Sequence, residues 1–199
     1  MGCQAPAEEA DRWQAGIAWT GFDTEISFDG EPPVELRQHA LSASATRMLA
    51  HGWSLRAAAG ATLGGALDGQ ALGPGWQVAL QGGKLWRAAD GPAPFVATTL
   101  ALAAARSSGA AGTLLATDLR LGAAAGWQVG TVWSPYLAVQ VYGAPVFLAA
   151  GGAVVRGADP HHLRPSIGSA FFLGEHLSAF ADLAPVGERG VSGGAVWSW

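Results

Sequence analysis

Five charged residues punctuate stretches that are otherwise apolar or small: Arg56, Asp118, Arg120, Arg164 and Asp182. Opposite charges carried into a confined interior either pair or serve a site, because an unpaired buried charge is expensive. A structural network of ion pairs is the favoured reading, with Asp182 and a neighbouring arginine as its first pair. Asp159-Pro-His161-His162 is the one local cluster of metal-ligand types. Adjacent imidazoles share a metal or sense pH near neutrality, but a closed site needs further donors that this loop does not assure. Gly190-Val-Ser192-Gly-Gly194 has the Gly-x-Ser-x-Gly spacing of a nucleophile elbow. An elbow needs a strand–turn–helix with acid and histidine downstream, and the five residues that follow contain neither. Gly83-Lys84 lacks both the following Ser or Thr and the glycine pattern of a phosphate loop. Ser107, Ser108, Ser166 and Glu188 are candidates to gather with His161 and His162 at one end of the molecule. No spacing among them enforces a catalytic geometry. The expectation is a non-enzyme without a cofactor.

The composition says what kind of element must hold these groups. Half of the 199 residues are hydrophobic and 13% are charged, low against the usual quarter. The 29 glycines argue against helices, since glycine costs about 1 kcal/mol per helical position relative to alanine. Between Arg120 and Arg156 no charge occurs, yet Gln128, Ser134, Pro135, Gln140, Gly143, Pro145, Gly151 and Gly152 interrupt the ~20 apolar residues that a spanning helix needs. The other structure that satisfies every backbone group in a bilayer is a closed β-barrel. A net charge of −4 argues against nucleic acid as a partner. Eight of the fifteen acids fall in residues 1–35, and residues 1–11 read as a disordered acidic tail ahead of a barrel over 12–199. Cys3 is the only cysteine; it follows a glycine, as at a lipoprotein cleavage site, but without the apolar stretch such a site needs. No leader is visible before it, so the chain reads as beginning at a processed start.

Alternation supplies the strands. Trp13, Ala15, Ile17 and Trp19 oppose Gln14, Gly16, Ala18 and Thr20; Leu137, Val139 and Val141 oppose Tyr136, Gln140 and Tyr142. One face is apolar and the other small or polar, which is lipid outside and lumen inside. Turn-forming clusters divide the chain into ten strands near 12–27, 35–47, 53–65, 76–88, 95–106, 113–125, 135–147, 163–173, 177–185 and 191–199. An eight-strand count stays open, with a bulge expected at Gly82-Gly83 and the longest loop over 148–162. The pattern predicts an all-β, up-and-down antiparallel barrel with short turns at the end bearing the termini and longer loops opposite. Trp13, Trp53, Trp86, Trp127, Trp133, Tyr136, Trp197 and Trp199 then collect at the terminal end as an aromatic girdle. A soluble lipocalin-like barrel would turn the same faces inside out.

The ending carries a resemblance. In Gly190-Val-Ser-Gly-Gly-Ala-Val-Trp-Ser-Trp199, the residues Val191, Gly193, Ala195, Trp197 and Trp199 share one face and close on an aromatic. This resembles the C-terminal signal that bacterial outer-membrane β-barrel proteins present to their assembly machinery, although Trp199 replaces the more usual Phe. The resemblance implies the lipid bilayer and that machinery as partners, an outer-membrane location and periplasmic termini. It implies no activity, because pores, enzymes, adhesins and anchors share the architecture. The readings it leaves are a structural or surface-interaction protein, a narrow passive pore, and an enzyme at the outer rim.

Overall fold

A computed structural model describes residues 12–29, 31–87, 94–143 and 145–199; the tail expected over 1–11 lies outside them. Twelve strands run in chain order: β1 (Arg12–Phe28), β2 (Val34–Met48), β3 (Trp53–Leu67), β4 (Gln70–Arg87), β5 (Pro94–Gly109), β6 (Gly112–Trp127), β7 (Trp133–Gly143), β8 (Pro145–Ala150), β9 (Ala153–Ala158), β10 (Leu163–Phe172), β11 (Leu177–Ala184) and β12 (Arg189–Ser198). All neighbours pair antiparallel, and β12 closes on β1 from Gln14↔Ser198 to Asp23↔Arg189. Ten strands, β1 to β7 and β10 to β12, form this closed ring.

A second closure lies above the first, at the end opposite the termini. β7 and β8 pair with β6 in one continuous register, Leu119↔Gly143 below and Ala116↔Val146 above. Their partners diverge. β10 pairs with β7 and leads through β11 to β12, whereas β9 pairs with β8 and crosses to β1 at Ser27↔Ala158 and Phe28↔Gly157. The distal end is therefore an eight-stranded ring of β1 to β6, β8 and β9, standing on a ten-stranded one.

The two rings have opposite polarity. In the ten-stranded ring the outward residues are apolar, among them Ile17, Leu41, Leu55, Leu80, Leu102, Leu121, Leu137 and Ile167, all exposed. A band of this kind is the lipid-facing surface of a transmembrane barrel, so the Leu, Val and Trp faces do not turn inward as a soluble barrel requires. Further along the same strands the pattern reverses. Ile26, Phe28, Leu36, Leu67, Leu72, Leu114 and Val146 point inward and pack as a buried core, while Glu25, Glu35, Arg37, Asp68 and Gln70 face outward and are exposed. Eight strands leave an interior that side chains just fill, and ten leave more room. The small-or-polar lumen expected throughout holds only for the wider ring.

The longer loops expected at the distal end are replaced by longer strands. The segment Leu67–Gly75 contains a two-residue turn at Asp68-Gly69, both at positive φ (47° and 73°), and β4 already begins at Gln70. Tight hairpins of this type need left-handed backbone at both positions, which Asp and Gly tolerate. The loop expected over 148–162 is mostly the β8–β9 hairpin, turned by Gly151-Gly152 at φ 58° and 83°. Gly82 and Gly83 pair regularly with Leu55 and Ser54; the register shifts lie instead at His39/Ala40 and between Leu72 and Gly75.

Candidate functional site

The polar residues that the strands carry inward meet where the narrow ring steps out to the wide one. Here β9 and β10 part company, so the sheet cannot satisfy every group and side chains complete the pairing. Asp159, buried between the two strands, accepts from Thr24 Oγ1 (2.5 Å), from Tyr142 Oη (3.3 Å) and from the His161 backbone N–H (2.7 Å). The carboxylate thus ties β1 and β7 to the split.

Beside it lies an ion-pair network. Arg120 on β6 forks onto Glu188, with Nη1 to Oε1 at 3.1 Å and Nη2 to Oε2 at 2.6 Å, and pairs with Asp118 through Nε. Its guanidinium also stacks on Tyr142, 5.2 Å from the ring centre. Arg164 on β10 donates through Nε to the Glu188 carbonyl (3.2 Å), lies 3.5 Å from its carboxylate and 3.7 Å from Asp182. Gln140 Oε1 accepts from both arginines, at 3.4 and 3.3 Å. Tyr142 Oη accepts from the Glu188 backbone N–H (3.1 Å), and Ser166 donates to Asp182 (3.0 Å). Such bidentate, multiply bonded pairs are the form in which buried charge is tolerable.

Of the five charges singled out in the sequence, Asp118, Arg120, Arg164 and Asp182 enter this network. Arg56 does not: it points into the lumen from β3, between Thr46 on β2 and Gln81 on β4, and has no hydrogen-bond or ion-pair partner among the described residues. The residue at the centre, Glu188, lies in the β11–β12 turn, where a lone acid beside Gly187 reads as a solvated turn. No periodicity marks a turn residue as inward, and only the closure of the wide ring carries it under Arg120 and Arg164.

Ser166 and Glu188 belong to the network and Asp159 adjoins it, but the other groups proposed for chemistry are spread apart. His161 is exposed, with Nε2 3.6 Å from Glu25, and His162 Nδ1 rests against the Tyr142 carbonyl at 3.2 Å. Among the described residues no three His, Cys, Asp or Glu side chains are arranged to hold a metal. Ser107 is buried and bonded across the lumen to Gln38 (2.9 Å), whereas Ser108 faces outward onto Thr113. Ser192, the elbow candidate, sits within β12, paired with Thr20 on β1 and Asp182 on β11.

The aromatic residues gather at the terminal end. Trp13, Trp53, Trp86, Trp127, Trp133, Trp197 and Trp199 are all exposed there. Lys84 reaches into this belt, its Nζ 5.2 Å from the Trp53 ring and 6.0 Å from Trp86. Tyr136 is the exception and corrects the girdle: it belongs to the inward set of β7 and its ring lies over Gly168, where a Cβ would meet the phenol at 2.2 Å. Val191, Gly193, Ala195 and Trp197 occupy the outward face of β12, and Trp199 bonds its backbone to Trp13.

Beside the network and beneath the distal core, the lumen of the wide ring holds a partly open cavity of about 420 Å³. Phe22, Ile26, Leu36 and Val146 form its distal end, alanines of β3 to β6 its wall, and Arg56 and the network its polar side.

No family model matches the chain, and no curated protein matches it in sequence. Solved structures do match in shape. The outer-membrane protease OmpT of Escherichia coli aligns over 98% of this chain and 99% of its own, with TM-score 0.59 and 7% identity. The β domain of the Bordetella autotransporter BrkA aligns over 95% of this chain and 100% of its own, with TM-score 0.56 and 14% identity. At these identities the likeness is one of fold. The chain has the closed antiparallel barrel fold of bacterial outer-membrane proteins.

Proposed function

We propose that this chain is an integral outer-membrane protein that neither conducts nor catalyses, and that it holds its polar distal ring out in water as a structural or interaction surface. The observation that carries the reading is the apolar core of Ile26, Phe28, Leu36, Leu67, Leu72, Leu114 and Val146, which fills the distal ring across the path a solute would take. The rim carboxylates support the non-catalytic part, since Asp23 faces Arg37 and Arg189, and Glu25 faces His161. The terminal end, with its tryptophan and lysine belt, is the periplasmic one in this reading. The outward face of β12 from Val191 to Trp199 is then the segment offered to the assembly machinery.

Purified protein in planar bilayers tests the first claim: a flat current trace without discrete steps is expected, and stepwise conductance would replace this reading with the narrow pore. Labelling tests the second. In a Cys3→Ser background, a cysteine placed at Gly151, in the β8–β9 turn, should react with a membrane-impermeant maleimide on intact cells. Protection until the outer membrane is breached would reverse the orientation.

A further inference from the structure

Arg56 is inward, on a strand that spans the lipid band, and its flanking inward residues Thr46 and Gln81 are neutral. It carries no ion pair or hydrogen bond among the described residues, while the other four inward charges singled out in the sequence, Asp118, Arg120, Arg164 and Asp182, lie in the network on the opposite wall. A guanidinium held in a confined lumen calls for a counter-charge. A second group in the same cavity is also unmet: the Thr62 hydroxyl, on the same face of β3 six residues on, is buried (2% exposed) and has no partner. Between and around them the wall is Ala58, Ala79, Ala101 and Ala103, so nothing bulky fills the space. The two opposite walls thus differ in kind: one is packed with mutually satisfied charges, the other is left open with two polar groups unsatisfied.

We propose that this cavity binds a medium-chain anionic amphiphile, its carboxylate on Arg56 and its chain along the alanine wall toward Phe22 and Leu36. The planar guanidinium fork matches a carboxylate bidentately. The volume of about 420 Å³ falls within the range of small-molecule sites. It holds about fourteen non-hydrogen atoms at about 30 Å³ each, the size of a ten-carbon acid. Thr62 follows Arg56 by about 20 Å of backbone at about 3.3 Å per residue, and both residues line the same cavity. A polar group near the chain's far end would meet this hydroxyl. Binding here is independent of whether the barrel conducts, so this test and the conductance test fail separately.

The probe is decanoate, titrated calorimetrically into the folded protein in a non-ionic maltoside, with decanol and decyltrimethylammonium as the neutral and cationic comparators. One saturable site is expected for decanoate, about tenfold or more tighter than for decanol, as a charge-assisted pair provides; the cation should show none. Arg56→Gln should erase the preference for the anion, Arg56→Lys should keep it, and Ala103→Phe should abolish binding by filling the wall. Each variant is first checked for folding by its boiling-dependent gel mobility. Absence of saturable heat, equal affinity for decanoate and decanol, or an anion preference that survives Arg56→Gln would each overturn the proposal. The comparison of the three probes on the unaltered protein decides the matter even if a variant does not fold.

Discussion

Glu188 carries two arginines at once, and this makes it the residue on which the lumen network depends. Its side chain is 9% exposed, that of Arg164 is 8% and that of Arg120 is 26%. Glu188→Ala would leave both guanidinium groups facing each other without their shared carboxylate, and removal of one partner from a buried pair costs about 3–5 kcal/mol. Urea unfolding in lipid vesicles should register a loss of that order. Arg37→Ala, which breaks only exposed rim contacts with Glu35 and Asp23, should leave the midpoint where it is. The individual charges of the network were legible in the sequence because each interrupts an alternating strand, which fixes the face it points to. Their hub was not, because a turn residue has no face until the strands on either side are placed. Arg56 shows the converse: alternation gave its direction, but whether a partner waits across the lumen depends on the strand opposite.

Among the elements, the β8–β9 hairpin decides the architecture. Residues 145–158 lack the charge alternation that marks a lumen wall, and their glycine pair reads as the tip of a loop. In place, β8 extends the β7 ladder on β6, and β9 closes on β1. Such a return is a long-range pairing between segments more than a hundred residues apart, which local pattern cannot register. The narrowing also demands close backbone contact. A Cβ on Gly75 would lie 1.7 Å from the Arg106 carbonyl oxygen, beside the register shift between β4 and β5. Gly75→Ala therefore has to separate the two strands at the step. Expected are a lower refolding yield and protease cleavage in the Gly69–Pro74 region, with the boiling-dependent mobility of the lower ring retained. Unchanged yield and protection would show that the strands have slack there.

For the molecule as a whole, the same strands serve two solvents. β2 runs outward through Arg37, His39, Leu41, Ala43, Ala45 and Arg47, polar at the distal end, apolar in the middle and charged again near the tryptophans. Trp19 stacks on His39, with ring centres 5.9 Å apart, and marks the upper border of the apolar band on this side. A charge placed in the band and one placed above it should behave differently. Leu121→Arg, in the middle of the β6 exterior, should cost about 2–4 kcal/mol in lipid vesicles. Val154→Arg, on the equally exposed distal hairpin, should leave stability within the error of the same measurement. Similar penalties at both sites would mean that lipid also reaches the distal ring.

What the sequence determined by itself was the all-β barrel, its ten membrane strands and the direction of most side chains. Those follow from a period of two and from the impossibility of a continuous apolar helix through so many glycines and prolines, both local properties of the chain. Only the tertiary structure decided that the apolar face switches from outside to inside along the same strands. Alternation sets which residues share a face, but not which face meets lipid, water or a core; that depends on ring size and on height in the membrane. Both are set by closure, β12 on β1 for the wide ring and β9 on β1 for the narrow one, and closure joins residues that lie far apart in sequence.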